Sequence, residues 1–276
     1  MNPRDAPTLR RALILCGGGA RGAMEVGFFQ AITDLGISFD LVVGSSVGAL
    51  NGACIAAGMT PRELADLWRS IRRSDVLAWS WPALWRGGGL MTLDPLRRLL
   101  RKTLPVFRFE DLKIPLVVTA TDLQAGVPVS WHDTGDVVEP VVASMSLPGI
   151  FPPVAIDGHQ LVDGGVANNV PFAPALERGA HEMLLILCTC CPAASHRLRS
   201  PWSILLRSFQ ISLETKYNSD LHHFRRQGVA ILMVEPRLDR DVGMLDFRHA
   251  DALIRAAYEQ TIAAFAKPGI AAPAVV

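Results

Sequence analysis

No apolar run in this 276-residue chain approaches the ~18 residues that a membrane-spanning helix needs. Charge of one sign is equally scarce. Lys and Arg number 27 against 26 Asp and Glu, for a formal net charge of +1, which argues against nucleic acid as a partner, since that needs a basic face. Cysteine is sparse and odd in number, at five, so the chain is not a disulfide framework. Cys16, Cys54, Cys188 and Cys190 sit among apolar or small residues and are expected to be buried thiols. Cys188-Thr189-Cys190-Cys191 closes a predicted strand with no second ligand pair at zinc spacing, so no metal is expected, and reduced thiols fit a reducing compartment. Arg10-Arg11 ahead of residues 12–16 has the order of a signal peptide, but its apolar part is too short. The expectation is a cytoplasmic protein made without a cleaved signal, with scope for peripheral contact at a membrane surface.

Half of the residues are apolar and 19% are charged, the balance of a globular protein. The length allows one large α/β domain or two small ones. Strand and helix patterns alternate, which argues for a sheet covered on both faces. Strands are expected at residues 11–16, 41–43, 116–121, 127–131, 154–156, 160–162, 183–188 and 230–234, with a hairpin at Asp157-Gly158-His159. Helices are expected at 23–35, 49–57, 94–103, 136–145, 172–178, 201–226 and 247–266, and from the capping box Thr60-Pro61-Arg62-Glu63 to about residue 73. No repeat or linker interrupts this order. The simplest organisation is one domain over residues 11–266, with an extension at 1–10 and a loose tail at 267–276.

The most informative stretch begins at Phe39-Asp40-Leu41-Val42-Val43. This apolar run stops at Gly44, Gly44-Ser45-Ser46-Val47-Gly48 follows, and a small-residue stretch that can be helical comes next. A strand, a sharp turn and a helix with serine at the apex strain the backbone and lift Oγ clear of the sheet, where it can attack an ester. Gly44 and Gly48 leave out the Cβ atoms that would strike the neighbouring strand or helix.

Gly17-Gly18-Gly19-Ala20-Arg21-Gly22 also follows a strand and opens a helix. Its glycine spacing satisfies the dinucleotide fingerprint, which requires an acid closing the second strand to hold the ribose. Here that strand ends in Gly44-Ser45-Ser46, and Asp40 lies at its other end, so the fingerprint is incomplete. The alternative is chemical: backbone N–H groups at a helix start can hold the oxyanion formed when serine attacks a carbonyl. A tight turn that binds nothing is the plainer reading, set against four glycines in six residues, which are unfavourable to keep ordered.

A serine nucleophile needs a proton acceptor. Of the histidines, His159 falls in a hairpin turn, His181 begins a strand, His196 is in a loop, and His222, His223 and His249 lie in helices. None follows a strand in a glycine-bounded loop, where a triad histidine is expected. Asp163 is the better candidate, because Gln160-Leu161-Val162-Asp163-Gly164-Gly165 is a strand ending in an acid and two glycines. An aspartate before glycine is otherwise an ordinary turn residue.

Four blocks, in order, resemble the patatin-like phospholipase family: residues 17–22, residues 44–48, Ala143-Ser144-Met145-Ser146-Leu147-Pro148-Gly149-Ile150-Phe151-Pro152-Pro153, and Asp163-Gly164-Gly165 with Asn169-Val170-Pro171. Thr121-Asp122-Leu123 matches a further family stretch. The resemblance runs from Leu13 to Pro171 and is specific as a set. It implies a three-layer α/β/α fold around a mostly parallel sheet and a Ser–Asp dyad without histidine or cofactor. Ser46 would be the nucleophile, Asp163 the base, and the backbone of Gly17, Gly18 and Gly19 the oxyanion hole. Arg21, Gly22, Gly44, Gly48, Gly164 and Gly165 would support them. The implied substrates are fatty-acyl esters of phospholipids, lysophospholipids or neutral lipids. Partial desolvation of Asp163 is expected to raise its pKa and keep it useful as a base near neutral pH.

Trp79, Trp81 and Trp85 crowd a glycine-interrupted segment that suits a bilayer surface and could gate the acyl cleft as a lid. In the helix that follows, Leu96, Leu99, Leu100 and Leu104 face one way and Arg97, Arg98, Arg101 and Lys102 the other. Such a helix can lie on an anionic membrane, or pack on the core with its charges in water. Besides a lipid acyl hydrolase, two other readings stay open: a catalytically silent lipid-binding or scaffold protein on the same fold, and, less well supported, a nucleotide-binding oxidoreductase.

Overall fold

The computed structural model describes residues 10–81, 88–188, 199–238 and 242–266. Trp85, Cys190, Cys191, His196 and the expected tail lie outside the described residues, as does nearly all of the expected N-terminal extension. The strands are β1 (Arg10–Leu15), β2 (Leu41–Ser45), β3 (Ala78–Trp79), β4 (Met91–Thr92), β5 (Leu116–Asp122), β6 (Val127–Trp131), β7 (Val154–Ile156), β8 (His159–Val162), β9 (Ala180–Ile186) and β10 (Ala230–Val234). The helices are α1 (Ala23–Asp34), α2 (Val47–Ala56), α3 (Pro61–Ser70), α4 (Arg73–Val76), α5 (Asp94–Thr103), α6 (Val138–Ser144), α7 (Gly165–Asn168), α8 (Phe172–Glu177), α9 (Pro201–Arg226) and α10 (Ala250–Phe265).

One mixed sheet of eight strands runs β10-β9-β1-β2-β5-β8-β7, with β6 also on β5. The pairs from β10 to β5 are parallel, and those made by β6, β7 and β8 are antiparallel. Every residue of β2 and β5 is buried, as expected of central strands covered on both faces, and helices flank the sheet. Gly27 lets α1 approach α10 closely, because a Cβ there would run into the Ile254 carbonyl. The three-layer α/β arrangement expected from the alternating pattern is the one observed.

Thr60 and Glu63 form the reciprocal cap that starts α3. That helix stops at Ser70 rather than near residue 73, and α4 follows as a separate turn. The last helix begins three residues later than expected, after a 3-10 turn over Phe247–His249. The hairpin of β3 and β4 and the short helix α7 carry no periodicity and were not foreseen. Helix α5 does not lie free for a membrane: Leu96, Leu100 and Leu104 are buried in the core, and Arg97 pairs with Glu139 at 3.0 Å. Among the described residues, no helix is long and apolar enough to cross a membrane.

Candidate active site

β1 and β2 are adjacent and parallel, with Leu15 opposite Gly44, so the loops that follow them emerge side by side at the carboxyl edge of the sheet. Ser46 stands between β2 and α2 with φ 55° and ψ −128°, a backbone conformation that L residues adopt only under strain. Gly44 and Gly48 make the turn sterically feasible. A Cβ on Gly44 would collide with the Gly48 carbonyl, and one on Gly48 with the backbone of Leu15. The Ser46 N–H donates to Ser144 Oγ at 2.8 Å, and the Ser144 hydroxyl donates to the Thr119 carbonyl at 2.6 Å. Ser144 thereby ties the strained apex to β5.

Asp163 reaches the same place by a different route. β8 is antiparallel to β5 but pairs with its end only, Thr121 opposite Val162. The chain therefore turns inward at Asp163 level with the middle of β5, and Thr119 there is opposite Ser45. Ser46 Oγ donates to Asp163 Oδ2 at 2.7 Å, and the Gly165 N–H donates to Oδ1 at 2.8 Å. Asp163 is 5% exposed. Burial pushes its carboxyl up to about 6, against the pull of the Ser46 hydroxyl and the Gly165 N–H, as desolvation disfavours the charged form. Gly164 packs on the Thr119 carbonyl and the Ser45 side chain, where a Cβ has no room.

The glycine loop closes the third side. Gly19 has φ 59°, and a side chain there would strike the Met244 carbonyl. That carbonyl accepts from the Ala20 N–H at 2.7 Å, and Arg21 Nε donates to the Val242 carbonyl at 2.8 Å. The segment after β10 is thus strapped over the loop. Among the described residues, no backbone carbonyl accepts from Gly17, Gly18 or Gly19. Gly22 packs against the Val47 side chain, again without space for a Cβ.

Two small cavities meet at Ser46 and Asp163. One, of about 30 Å3, is lined by Gly17, Gly18, Arg21, Gly165, Asn169, Gln210 and Leu213. The other, of about 60 Å3, is apolar, with Val47, Leu50, Trp68, Ile71, Val76, Met145, Ile150, Phe151 and Phe247. Leu147 and Met244 border both. No histidine lines either. His159, assigned to the surface, is held there by Asp122 at 2.7 Å. A larger cleft of about 500 Å3, lined by Arg69, Arg72, Arg73 and Arg248 with Asp246 and Asp251, contains neither Ser46 nor Asp163. Its volume does not make it the reaction centre. Trp79 and Trp81 lie outside both cavities and are 72% and 75% exposed.

Sequence reasoning missed Ser144, Asn169 and Met244 as site residues. Ser144 and Asn169 sit in blocks already singled out, whereas nothing near Met244 marks it. Cys16, Glu25 and Cys188 are buried with ligand atoms within 4.8 Å of one another, the grouping among the described residues whose chemistry could hold a metal ion. Cys16 Sγ lies 3.3 Å from the Ile186 carbonyl and accepts from the Cys188 N–H at 3.4 Å.

The patatin-like phospholipase family model matches residues 13–176. An uncharacterised NTE family protein of Mycobacterium tuberculosis is 33% identical over 171 residues, covering 62% of this chain and 47% of that protein. The human patatin-like phospholipase domain-containing protein 6 is 33% identical over 183 residues, covering 63% of this chain and 13% of its own length. The chain spans less than half the length of these relatives. The crystal structure of VipD from Legionella pneumophila superposes with a TM-score of 0.52 at 14% identity, over 93% of this chain and 67% of that one, a likeness of fold. The glycine loop, the serine turn and the Asp163 segment all fall within the matched residues, and the chain belongs to the patatin-like phospholipase family.

Proposed function

We propose that the protein is a serine lipid acyl hydrolase working through a Ser46–Asp163 dyad. The observation that carries this reading is the 2.7 Å hydrogen bond from Ser46 Oγ to Asp163 Oδ2 at a strained turn beside a glycine loop. Family membership supports lipid hydrolysis in general.

In the first half-reaction the Asp163 carboxylate takes the Ser46 proton as Oγ attacks the acyl carbonyl. Ser46 caps the N-terminus of α2, whose dipole favours negative charge there. The N–H groups of Gly17, Gly18 and Gly19 face the developing oxyanion, and each well-placed donor is worth about 3 kcal/mol in the transition state. The tetrahedral intermediate collapses, the C–O bond to the alcohol breaks, and Asp163 returns its proton to that oxygen. Asp163 then deprotonates a water, which attacks the acyl-serine. Fatty acid leaves, and the proton goes back to Ser46. A carboxyl at about 6 is ionised at neutral pH yet basic enough to share in these transfers.

The apolar cavity is the acyl side of the site. At about 60 Å3 it holds only a few waters, far below the ~300 Å3 of an ordinary ligand pocket, so a long chain requires it to open. Peripheral membrane contact fits the exposed Trp79 and Trp81. Their hairpin is anchored where the Leu90 and Met91 N–H groups both donate to the Ile150 carbonyl at 2.9 Å, and Ile150 lines the acyl cavity.

A fluorophosphonate probe tests the dyad. Wild type is expected to gain the phosphonyl mass on the peptide containing Ser46, and Ser46→Ala and Asp163→Asn to gain none. Unlabelled wild type with no turnover of short esters would leave a silent lipid-binding protein as the reading.

A further inference from the structure

We propose that Glu25 is a positioning residue that clamps the glycine loop to the helix behind the nucleophile, acting through Asn51 and Trp68. The inference rests on the hydrolase reading for its catalytic consequence only. Glu25 lies in the first turn of α1, just after the loop, and Asn51 lies on α2, just after Ser46. Both are wholly buried. Trp68 Nε1 donates to Asn51 Oδ1 at 2.8 Å. An indole N–H can only donate, so this bond fixes which way the Asn51 amide points. Asn51 Nδ2 must then face the loop, and it donates to Glu25 Oε2 at 2.7 Å and to the Gly22 carbonyl at 3.0 Å.

The other Glu25 oxygen lies toward the start of the loop. Glu25 Oε1 is buried and makes no hydrogen bond of normal geometry, and it sits beside Cys16, the residue before Gly17, and Cys188. Burial pushes the Glu25 carboxyl well above the usual range. The negative charge of a Cys16 thiolate would push the same way, and the Asn51 amide, the Cys16 N–H and the Cys188 thiol oppose it. No cation pairs with Glu25 among the described residues. Burial without a paired cation thus favours its neutral form, in which Oε2 still accepts from Asn51. Gly17, Gly18 and Gly19 have no side chains with which to hold themselves, and oxyanion donors stabilise charge only when held in place beforehand. The buried chain from Trp68 through Asn51 to Glu25 and the Gly22 carbonyl supplies that order.

Two measurements on the purified chain test this: hydrogen exchange of the peptide spanning residues 16–24, and kcat and KM for a short soluble ester. Glu25→Ala is expected to speed exchange of that peptide and to lower kcat about 30-fold, within the range for a disturbed oxyanion site, with KM within about twofold. Glu25→Gln, neutral and of the same shape, is expected to restore both. Asn51→Leu removes the middle of the chain and is expected to repeat the Glu25→Ala result, which covers the case of an unfolded alanine variant. An active wild type whose exchange and kcat ignore both truncations overturns the clamp, as does Glu25→Gln behaving like Glu25→Ala. Loosened exchange on a wild type that neither turns over ester nor takes the fluorophosphonate overturns the hydrolase reading and leaves the clamp standing.

Discussion

Ser144 holds Ser46 by its backbone rather than its side chain: the Ser46 N–H donates to Ser144 Oγ at 2.8 Å, and the Ser144 hydroxyl in turn donates to the Thr119 carbonyl at 2.6 Å. The N–H of the nucleophile is thereby already occupied. In the proposed mechanism the oxyanion donors are therefore sought in the glycine loop rather than in the Ser46 N–H itself. It also explains how a non-glycine residue at φ 55° stays ordered, since such backbone is kept only where its surroundings over-determine it.

Ser144→Ala leaves that N–H buried without a partner, at a cost of about 1–3 kcal/mol. The apex is then free to relax, and kcat for a short ester should fall about 10-fold or more with KM little changed. Steady-state kinetics beside a thermal melt check this. An unchanged kcat would mean that the strained turn stands without Ser144.

In the proposed mechanism the raised Asp163 carboxyl sets the pH dependence. The base must be ionised to act, so kcat/KM should rise with pH through about 6 and level off above it, whereas an ordinary aspartate would place that limb at about 4. The same shift acts on stability with the opposite sense. A carboxyl whose folded pKa lies above its unfolded value favours the fold at low pH, and this advantage is lost as pH rises through the folded pKa. From 3.8 to about 6 the loss amounts to about 3 kcal/mol. Asp163→Asn should therefore be inactive yet melt higher than wild type, with a larger gap at about pH 8 than at about pH 4.

Met244 borders both cavities at the dyad, as Leu147 does, while its carbonyl is pinned by the Ala20 N–H. Shortening the side chain is expected to widen the passage between the cavities while leaving that backbone bond in place. Met244→Ala should raise kcat/KM for long-chain esters about 10-fold over wild type and leave butyrate esters near the wild-type value. A chain-length series with p-nitrophenyl esters reads this directly. A uniform loss across the series would place Met244 in the fold rather than in the channel.

Trp79 and Trp81 present large apolar surface to solvent, as rings that settle at headgroup depth do. Replacing both, together with Trp85, by alanine should weaken sedimentation with phospholipid vesicles about 10-fold and spare hydrolysis of a short soluble ester. Equal loss in both assays would assign the tryptophans to folding.

Much of this was readable from the chain alone, because it depends on neighbours within a few residues. A glycine-flanked serine between an apolar run and a small-residue helix favours a sharp turn, and the capping box at Thr60 and Glu63 favours a helix start. The alternation of elements likewise foretold a covered sheet. What tertiary structure decided lies between residues distant in the polymer. Ser46 and Asp163 are separated by 117 positions and meet because antiparallel β8 stops two residues into its pairing with β5, a register no local pattern encodes. The same holds for the placement of Ser144 under the apex, the chain from Trp68 through Asn51 to Glu25, and the strap that brings Met244 over Gly19. Helix α5 carries the lesson most plainly: its two-faced pattern serves a membrane surface or a core equally well, and only packing against α6 chose between them.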